Sequence, residues 1–384
     1  MTPAVSSATA TAPALSRQRS AGLDVTAFAR HGHREFHLTF RPLRGESVAE
    51  MMQRLADVLR EHQASVVRHE VFGRCAAQPE ALTLLRRLLG TVDWPLTWIE
   101  GAACGPGPLA GMHVLAVAGC PVETVRLGDA VIGRTFSDRW ATHLLLSGIK
   151  PMQVDQPRWI QARQSFETLE SALAAGGMTF NHVARTWFFL DDILSWYGPF
   201  NDVRTGFFRE HGVFERLVPA STGVSGCNPA GAAVMTGAWA SQPSDGAFAM
   251  REVKSPRQCP APNYGSSFSR AVELTSPDVR RLLVSGTASI APDGQSVCPD
   301  DIEAQIDLTM NVVRAILVSR GLDFPDASRV TAYFKRPEHA AVFDSWRAQL
   351  GLVEWPVVCT QADICRDELL FELELDALGS GEEK

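Results

Sequence analysis

The chain has 384 residues, 45% of them hydrophobic, and a formal net charge of −7 at pH 7. That length and apolar content support a large core spread over two or three domains. An acidic balance without a Lys/Arg block argues against nucleic acid or an anionic membrane as partner, and no apolar run approaches the roughly 20 residues that span a bilayer. The eight cysteines (75, 104, 120, 227, 259, 298, 359 and 365) include no Cys-x-x-Cys pair. Free thiols in a reducing cytoplasm fit that scatter better than a disulfide framework.

Residues 1–23 are rich in Ala, Ser and Thr and lack a charged stretch followed by an apolar one, so a floppy tail is expected rather than a secretory signal. Strands are then predicted over 35–41 and 65–71 and helices over 47–62 and 79–89, the first helix capped by Ser47 with Glu50 three residues on. Two more strands start at Trp94 and Met112, giving the order βαβαββ. The order returns with a strand over 143–148, a helix over 157–175 closed by Gly176-Gly177, a strand over 183–190, a helix over 200–211, and strands from Pro219 and Ala230. It returns again with a strand over 281–286 that repeats 143–148 nearly letter for letter. The helix over 300–320 carries Ile302, Ile306, Thr309, Val313 and Leu317 on one face and ends at Gly321. A strand over 328–334 follows, then a helix opened by Pro337 with Val342, Trp346 and Leu350 inward, and two strands within 356–377.

Trp94-Pro95, Val218-Pro219 and Trp355-Pro356 fall at equivalent points of the repeat. So do Arg204 and Arg347, each four residues after a phenylalanine (Phe200 and Phe343). The repetition predicts an α+β fold of three tandem βαβαββ units, 24–124, 125–255 and 256–378, with tails at 1–23 and 379–384. Three sheets, each covered by two helices on one face, can pack around a pseudo-threefold axis and bury their remaining faces without a partner chain.

In the last pair of strands, Phe371, Leu373, Leu375 and Ala377 alternate with Glu372, Glu374 and Asp376, the period of a half-buried strand. A tight polar turn at Cys365-Arg366-Asp367 is expected to join it to the strand before, which brings the Cys365 thiol near the Glu372 carboxylate. The plainer reading of the same pattern is a solvated acidic face above an inert cysteine. His31, His33 and His37 lack a matching carboxylate or cysteine cluster, so no metal site is expected. There is no P-loop, G-x-G-x-x-G or G-x-S-x-G motif.

Leu283-Val-Ser-Gly286, Val330-Thr-Ala-Tyr-Phe334 and Phe371-Glu-Leu-Glu-Leu375 make the third unit resemble the RidA/YjgF family. That family forms homotrimers with ligand sites between subunits, so the resemblance implies an intrachain pseudo-trimer. RidA-type deaminases carry a carboxylate-binding arginine in the Pro-led strand. Here Val357-Val-Cys-Thr360 has none, which counts against enamine or imine deamination.

Four further segments are Tyr197-Gly-Pro-Phe-Asn-Asp-Val-Arg204, Pro219-Ala-Ser-Thr-Gly223, Asn263-Tyr-Gly-Ser-Ser-Phe-Ser-Arg270 and Ala362-Asp-Ile-Cys-Arg-Asp-Glu-Leu-Leu-Phe-Glu372. Together they resemble the chorismatases, which remove pyruvate from chorismate. One branch of that family yields a dihydroxycyclohexadiene carboxylate; the other yields 3-hydroxybenzoate, sometimes with 4-hydroxybenzoate. The resemblance implies Glu372 as catalytic acid and Cys365 as a ring contact marking the hydroxybenzoate branch. It implies Tyr197, Arg204, Tyr264, Arg270, Gly286, Ala288 and Arg347 as substrate-binding residues, with no cofactor and no metal.

The chemistry fits those residue types. Chorismate is a dianion, and an acidic protein holds it where arginines converge, through bidentate guanidinium–carboxylate pairs. Cleaving an enol ether without a metal begins with protonation of its methylene carbon, which needs a buried carboxylic acid kept neutral near pH 7. At the place of Glu372 the second unit has Val234-Met235 and the first has Met112 to Val114, so one working site per chain is expected. Glu374 and Asp376 are assigned structural or solvent roles. The expected partner is thus a small molecule, chorismate. The chain is expected to stand as a monomer, with higher assembly left open. A non-catalytic metabolite-binding protein is the reading from a different class, since a fold does not fix a function.

Overall fold

The computed structural model describes residues 15–30, 32–105 and 107–381. Most of the expected N-terminal tail, His31 and the last three residues lie outside the described residues.

Each unit begins with two strands that the sequence pattern does not announce. In unit 1, β1 (Leu15–Ser20) and β2 (Leu23–Arg30) precede β3 (His33–Phe40), α1 (Val48–His62), β4 (Ser65–Gly73), α2 (Gln78–Leu89), β5 (Leu96–Ile99) and β6 (Leu109–Ala118). Unit 2 repeats this as β7 (Val122–Leu127), β8 (Ala130–Ser137), β9 (Ala141–Ile149), α3 (Arg158–Ala175), β10 (Val183–Leu190), α4 (Tyr197–Glu210), β11 (Ala220–Ser225) and β12 (Val234–Pro243). Unit 3 follows as β13 (Ala249–Val253), β14 (Ala271–Thr275), β15 (Val279–Ala288), α5 (Ile302–Val318), β16 (Ala327–Phe334), α6 (Ala340–Gln349), β17 (Val357–Gln361) and β18 (Phe371–Ser380).

The three sheets have six strands each in one shared order, β1-β2-β3-β6-β4-β5 and its equivalents. Even the irregularities repeat. The second long strand of each unit carries a register shift at Val66/Arg68, Val183/Arg185 and Ala327/Arg329. Each shift presents an arginine at the same position. An α+β pseudo-trimer of three like units is therefore present in one chain.

The helices form where the caps and apolar faces say they should. Ser47 Oγ accepts from Glu50 N at 3.2 Å while Glu50 Oε2 accepts from Ser47 N at 2.8 Å, closing a capping box on α1. Asp301 caps α5 through Ala304 N at 3.0 Å. Each helix pair covers its own sheet, giving three separate cores. A fourth core joins the other faces of all three sheets and includes Val67, Phe72, Trp187, Phe189, Leu283 and Tyr333. Phe72 of unit 1 stands 6.1 Å, ring to ring, from both Phe189 of unit 2 and Tyr333 of unit 3. These three are equivalent in register, so they mark the pseudo-threefold axis.

Four expectations need correction. The expected tail does not extend over 15–23, because 15–20 form an edge strand paired with β2; the polar, mostly exposed residues of that strand carry no apolar period. The boundaries at 124/125 and 255/256 cut through or misassign strands: β7 spans the first, and β13 pairs with β14 in the third sheet. The last two strands are not a hairpin. β17 runs parallel to β16, and β18 lies between β15 and β16. On α6 Phe343 is fully buried and Val342 and Trp346 pack partly buried against the same core, whereas Leu350, just past the helix, is 51% exposed.

Candidate active site

The acids of β18 do not face solvent. Their side of the sheet is the side on which the three sheets meet, so Glu372, Glu374 and Asp376 are all buried. Glu374 gathers donors from two units. Arg185, Trp187 Nε1 (3.0 Å) and Thr222 of unit 2 donate to Oε2, and Arg329 and Tyr333 Oη (3.3 Å) of unit 3 donate to Oε1. The two arginines and the Thr222 hydrogen bond outweigh burial and hold this carboxyl well below the usual carboxylate range.

Glu372, two residues earlier on the same face, has the opposite surroundings. Among the described residues no protein group donates a hydrogen bond to its carboxyl. Burial, and next the Glu374 charge, raise it from 4.5 to about 8, against the pull of Arg185 and Arg270. Glu372 is therefore a neutral carboxylic acid at pH 7.

Its carboxyl borders a cavity of about 300 Å³ on the seam between units 2 and 3. Unit 2 supplies Tyr197, Asn201 and Arg204 from the first turns of α4, and Ser221 and Gly223 from β11. Unit 3 supplies Tyr264, Ser266, Phe268 and Arg270 from the segment before β14. It also supplies Gly286 and Ala288 from β15 and Cys365 and Arg366 from the loop before β18. The seam is tied by Gly286 N, which donates to Thr222 Oγ1 at 3.1 Å. Unit 2 has the matching bond to unit 1, Gly148 N to Thr97 Oγ1 at 3.0 Å.

Three guanidinium groups reach the cavity wall, and among the described residues none of them forms an ion pair. Arg204 donates to Asn201 Oδ1 and lies over the rings of Phe200 (5.5 Å) and Phe268 (5.9 Å). Arg270 donates twice to the Cys259 carbonyl, at 3.0 and 2.9 Å, and sits 5.3 Å from the Tyr264 ring. Arg366 donates to Gly294 O (2.9 Å) and Ser296 Oγ (3.0 Å) and stands 5.4 Å from the same ring. Burial raises the Tyr197 and Tyr264 phenols, so both stay protonated. Burial, and then the nearby Glu372, push the Cys365 thiol up to about 12. The thiol packs with Ala288, Ile290, Ile364 and Leu369, so it serves as wall and core filler at once.

Eight of the nine residues named from the sequence thus line one cavity. The exception is Arg347, which pairs with Asp344 and donates to the Leu352 and Val353 carbonyls at 3.3 and 3.0 Å. The repeat equates it with Arg204, but its seam is the one between units 3 and 1. There Val358 packs so closely on Gly111 that a Cβ at Gly111 would stand 2.8 Å from Val358 Cγ2. The register makes Gly111 and Met235 the counterparts of Glu372, so neither other seam has an acid there. Sequence reasoning passed over Arg366, Asn201 and Phe268. Arg366 lies beside Cys365, and its charge was the available signal; Asn201 accepts a hydrogen bond from Arg204, and Phe268 packs against the Arg204 guanidinium. His33 lies beside Glu35 at 3.5 Å, and His37 is buried, lowered to about 3 chiefly by desolvation. No helix among the described residues is long and apolar enough to cross a membrane.

No protein-family model matches the sequence, and no curated relative matches it. Among solved structures, a chorismatase crystal structure aligns over 82% of this chain and 93% of its own, at 17% identity and a TM-score of 0.57. TdcF from E. coli, solved with bound serine, aligns over 34% of this chain and 99% of its own, at 19% identity and a TM-score of 0.28. YyfA of the Rid family from Yersinia pestis aligns over 34% of this chain and 98% of its own, at 20% identity and a TM-score of 0.28. The chain shares the fold of the chorismatase.

Proposed function

We propose that the protein cleaves chorismate, releasing pyruvate and forming 3-hydroxybenzoate, alone or with 4-hydroxybenzoate. The observation that carries this reading is a neutral carboxylic acid, Glu372, facing a cavity lined by three guanidinium groups without carboxylate partners. Such a cavity suits a dianion that must be held by its carboxylates while one of its carbons is protonated. The volume of about 300 Å³ lies at the small end of the range for small-molecule sites, about 300–1,000 Å³.

In this mechanism Arg204, Arg270 and Arg366 neutralise the two substrate carboxylates, and the Tyr197 and Tyr264 hydroxyls orient the ring substituents. Glu372 transfers its proton to the enolpyruvyl methylene, leaving a methyl group and an oxocarbenium ion beside the new carboxylate. The adjacent ring hydroxyl adds to the cationic carbon and gives its proton to the Glu372 carboxylate, which restores the acid. The hydrogen on the ether-bearing ring carbon then leaves as a proton to the departing ketal oxygen as the neighbouring ring C–O bond breaks, which aromatises the ring. The resulting hemiketal collapses to 3-hydroxybenzoate and pyruvate, with no net gain or loss of water or protons. Cys365, protonated and against apolar neighbours, shapes the ring's position rather than acting as a nucleophile.

The test is to incubate the purified protein with chorismate, measure pyruvate, and separate the aromatic products by chromatography. Catalytic pyruvate release with hydroxybenzoate as co-product is the expected result. Absence of pyruvate would refute the reading, and pyruvate with the dihydrodiol alone would refute the assigned product.

A further inference from the structure

Glu372 and Glu374 sit two residues apart on one face of β18, so their backbone positions are about 6.5–7 Å apart. Chemically alike, they share five available donors in the most unequal way: all five reach Glu374 and none reaches Glu372. A buried ion cluster is weak evidence for stability, because desolvation offsets most of its Coulomb gain. A cluster of this size beside a reactive acid calls for another account. When two carboxyl groups share a site, surroundings that differ this much divide their roles into one charged and one protonated.

We propose that Glu374 is a positioning residue for the acid: its permanently ionised carboxylate collects the donors of the seam and fixes a negative charge beside Glu372, which therefore keeps its proton until substrate removes it. The proposal deepens the proposed function and rests on Glu372 being the proton donor. It also explains why the donors come from both units. Thr222 donates to Glu374 and accepts from Gly286 N at 3.1 Å and from Arg185 Nη2 at 2.8 Å. Docking of unit 2 on unit 3 thus builds the cavity and charges Glu374 in one event.

The other charged and titratable groups do not reverse this assignment. Tyr333 on β16 and Cys365 before β18 are neutral neighbours of Glu372, both raised by burial. Tyr197 and Tyr264 are protonated likewise. Arg270 at the cavity and Arg185 on β10 favour an ionised Glu372, so the acid stays neutral against their pull. Around Glu374 stand Arg185, Arg329 and Arg68, with Glu70, Asp376 and a neutral His113 further out.

The test uses the full chain with glutamate carboxyl carbons labelled with 13C, Glu372 and Glu374 being assigned by the loss of signal in their Gln variants. In the wild type the Glu372 resonance should titrate near pH 8 while Glu374 stays ionised at every lower pH at which the protein is folded. Glu374→Gln leaves Arg185 and Arg329 unopposed, so the Glu372 titration should move to lower pH by about one to three units. The alkaline limb of pyruvate release should move with it. Glu374→Asp retains the charge and should largely restore the wild-type titration, which a purely structural role would not require. An unmoved Glu372 titration in Glu374→Gln would overturn the proposal. If that variant does not fold, the wild-type titration decides alone: two carboxyls ionising together, or a protonated Glu374 at neutral pH, would overturn it. Because the titration needs no substrate, failure to release pyruvate would count against the proposed reaction and leave this assignment to its own readout.

Discussion

Gly286 lies so close to the carboxyl of Glu372 that a methyl group at that position has no room. A Cβ built there overlaps Glu372 Oε1 and stands 3.0 Å from its Cδ and 3.2 Å from Thr222 Cγ2. The glycine is needed for space, and it sets where the acid can point. Gly286→Ala should displace the carboxyl towards the cavity and lower pyruvate release by about 10²-fold or more, the usual cost of misplacing a reacting group by about 1 Å. Circular dichroism should report an unchanged fold. Near-wild-type turnover in the folded variant would mean that the carboxyl has another stable position from which it works.

The protonation of Glu372 also predicts a pH dependence of stability. Its carboxyl is raised from 4.5 to about 8 on folding, so between those values the folded chain holds a proton that the unfolded chain has lost. Folding stability from this group is complete below about pH 4.5 and declines as pH rises towards 8. Glu372→Gln removes that dependence, so the variant should gain on the wild type across this interval. Denaturant unfolding of both proteins at several pH values measures the difference. A difference that stays constant with pH would show that Glu372 is not protonated in the folded state.

Arg30 joins all three units at another point of their contact. It lies 3.2 Å from Glu35 of its own unit, pairs with Asp138 of unit 2, and reaches Asp278 of unit 3 at 3.1 and 2.9 Å. Arg30→Met would leave buried carboxylates with reduced compensation and should cost about 3–5 kcal/mol of stability. Asp138 and Asp278 are held below the usual carboxylate range by hydrogen bonds and charges that include Arg30, so their stabilisation is present above pH 3.8 and lost as pH falls further. The cost of Arg30→Met should therefore shrink in acid. Urea midpoints at neutral and acidic pH check both statements, and an equal cost at both would remove the charge argument.

In the proposed reaction Cys365 bears on product choice. It touches the cavity from an apolar pocket and has no proton to give near neutral pH. Cys365→Ala should retain pyruvate release while the 3-hydroxybenzoate fraction falls in favour of the dihydrodiol or 4-hydroxybenzoate. Chromatography at matched pyruvate yield measures this. An unchanged product ratio would leave the thiol as core filler.

Most of this architecture was legible because the repeat was. The matched strands 143–148 and 281–286 and the three Pro-led strands locate the units without any long-range information. What stayed hidden is instructive. The edge strands β1 and β7 have mostly exposed or half-buried residues and so no apolar period to read. β18 alternates like a strand with one wet face, and the acids on it look solvated. They are buried because two other sheets cover them, and a single strand's period carries no information about that third layer. Arg347 shows the limit of repeat logic. Equivalent positions share a backbone, but whether a seam is open depends on residues such as Val358 and Gly111 that no motif records.

In the proposed reaction Glu372 supplies the proton that begins cleavage. The direct measurement is the rate of pyruvate formation from saturating chorismate by the wild type and by Glu372→Gln, with chorismate binding followed separately by calorimetry. Glutamine keeps the shape of the side chain and has no proton to transfer, so the rate should fall by about 10²–10⁴-fold while binding persists. Turnover within a few-fold of wild type by a variant that still binds chorismate would show that the proton comes from elsewhere.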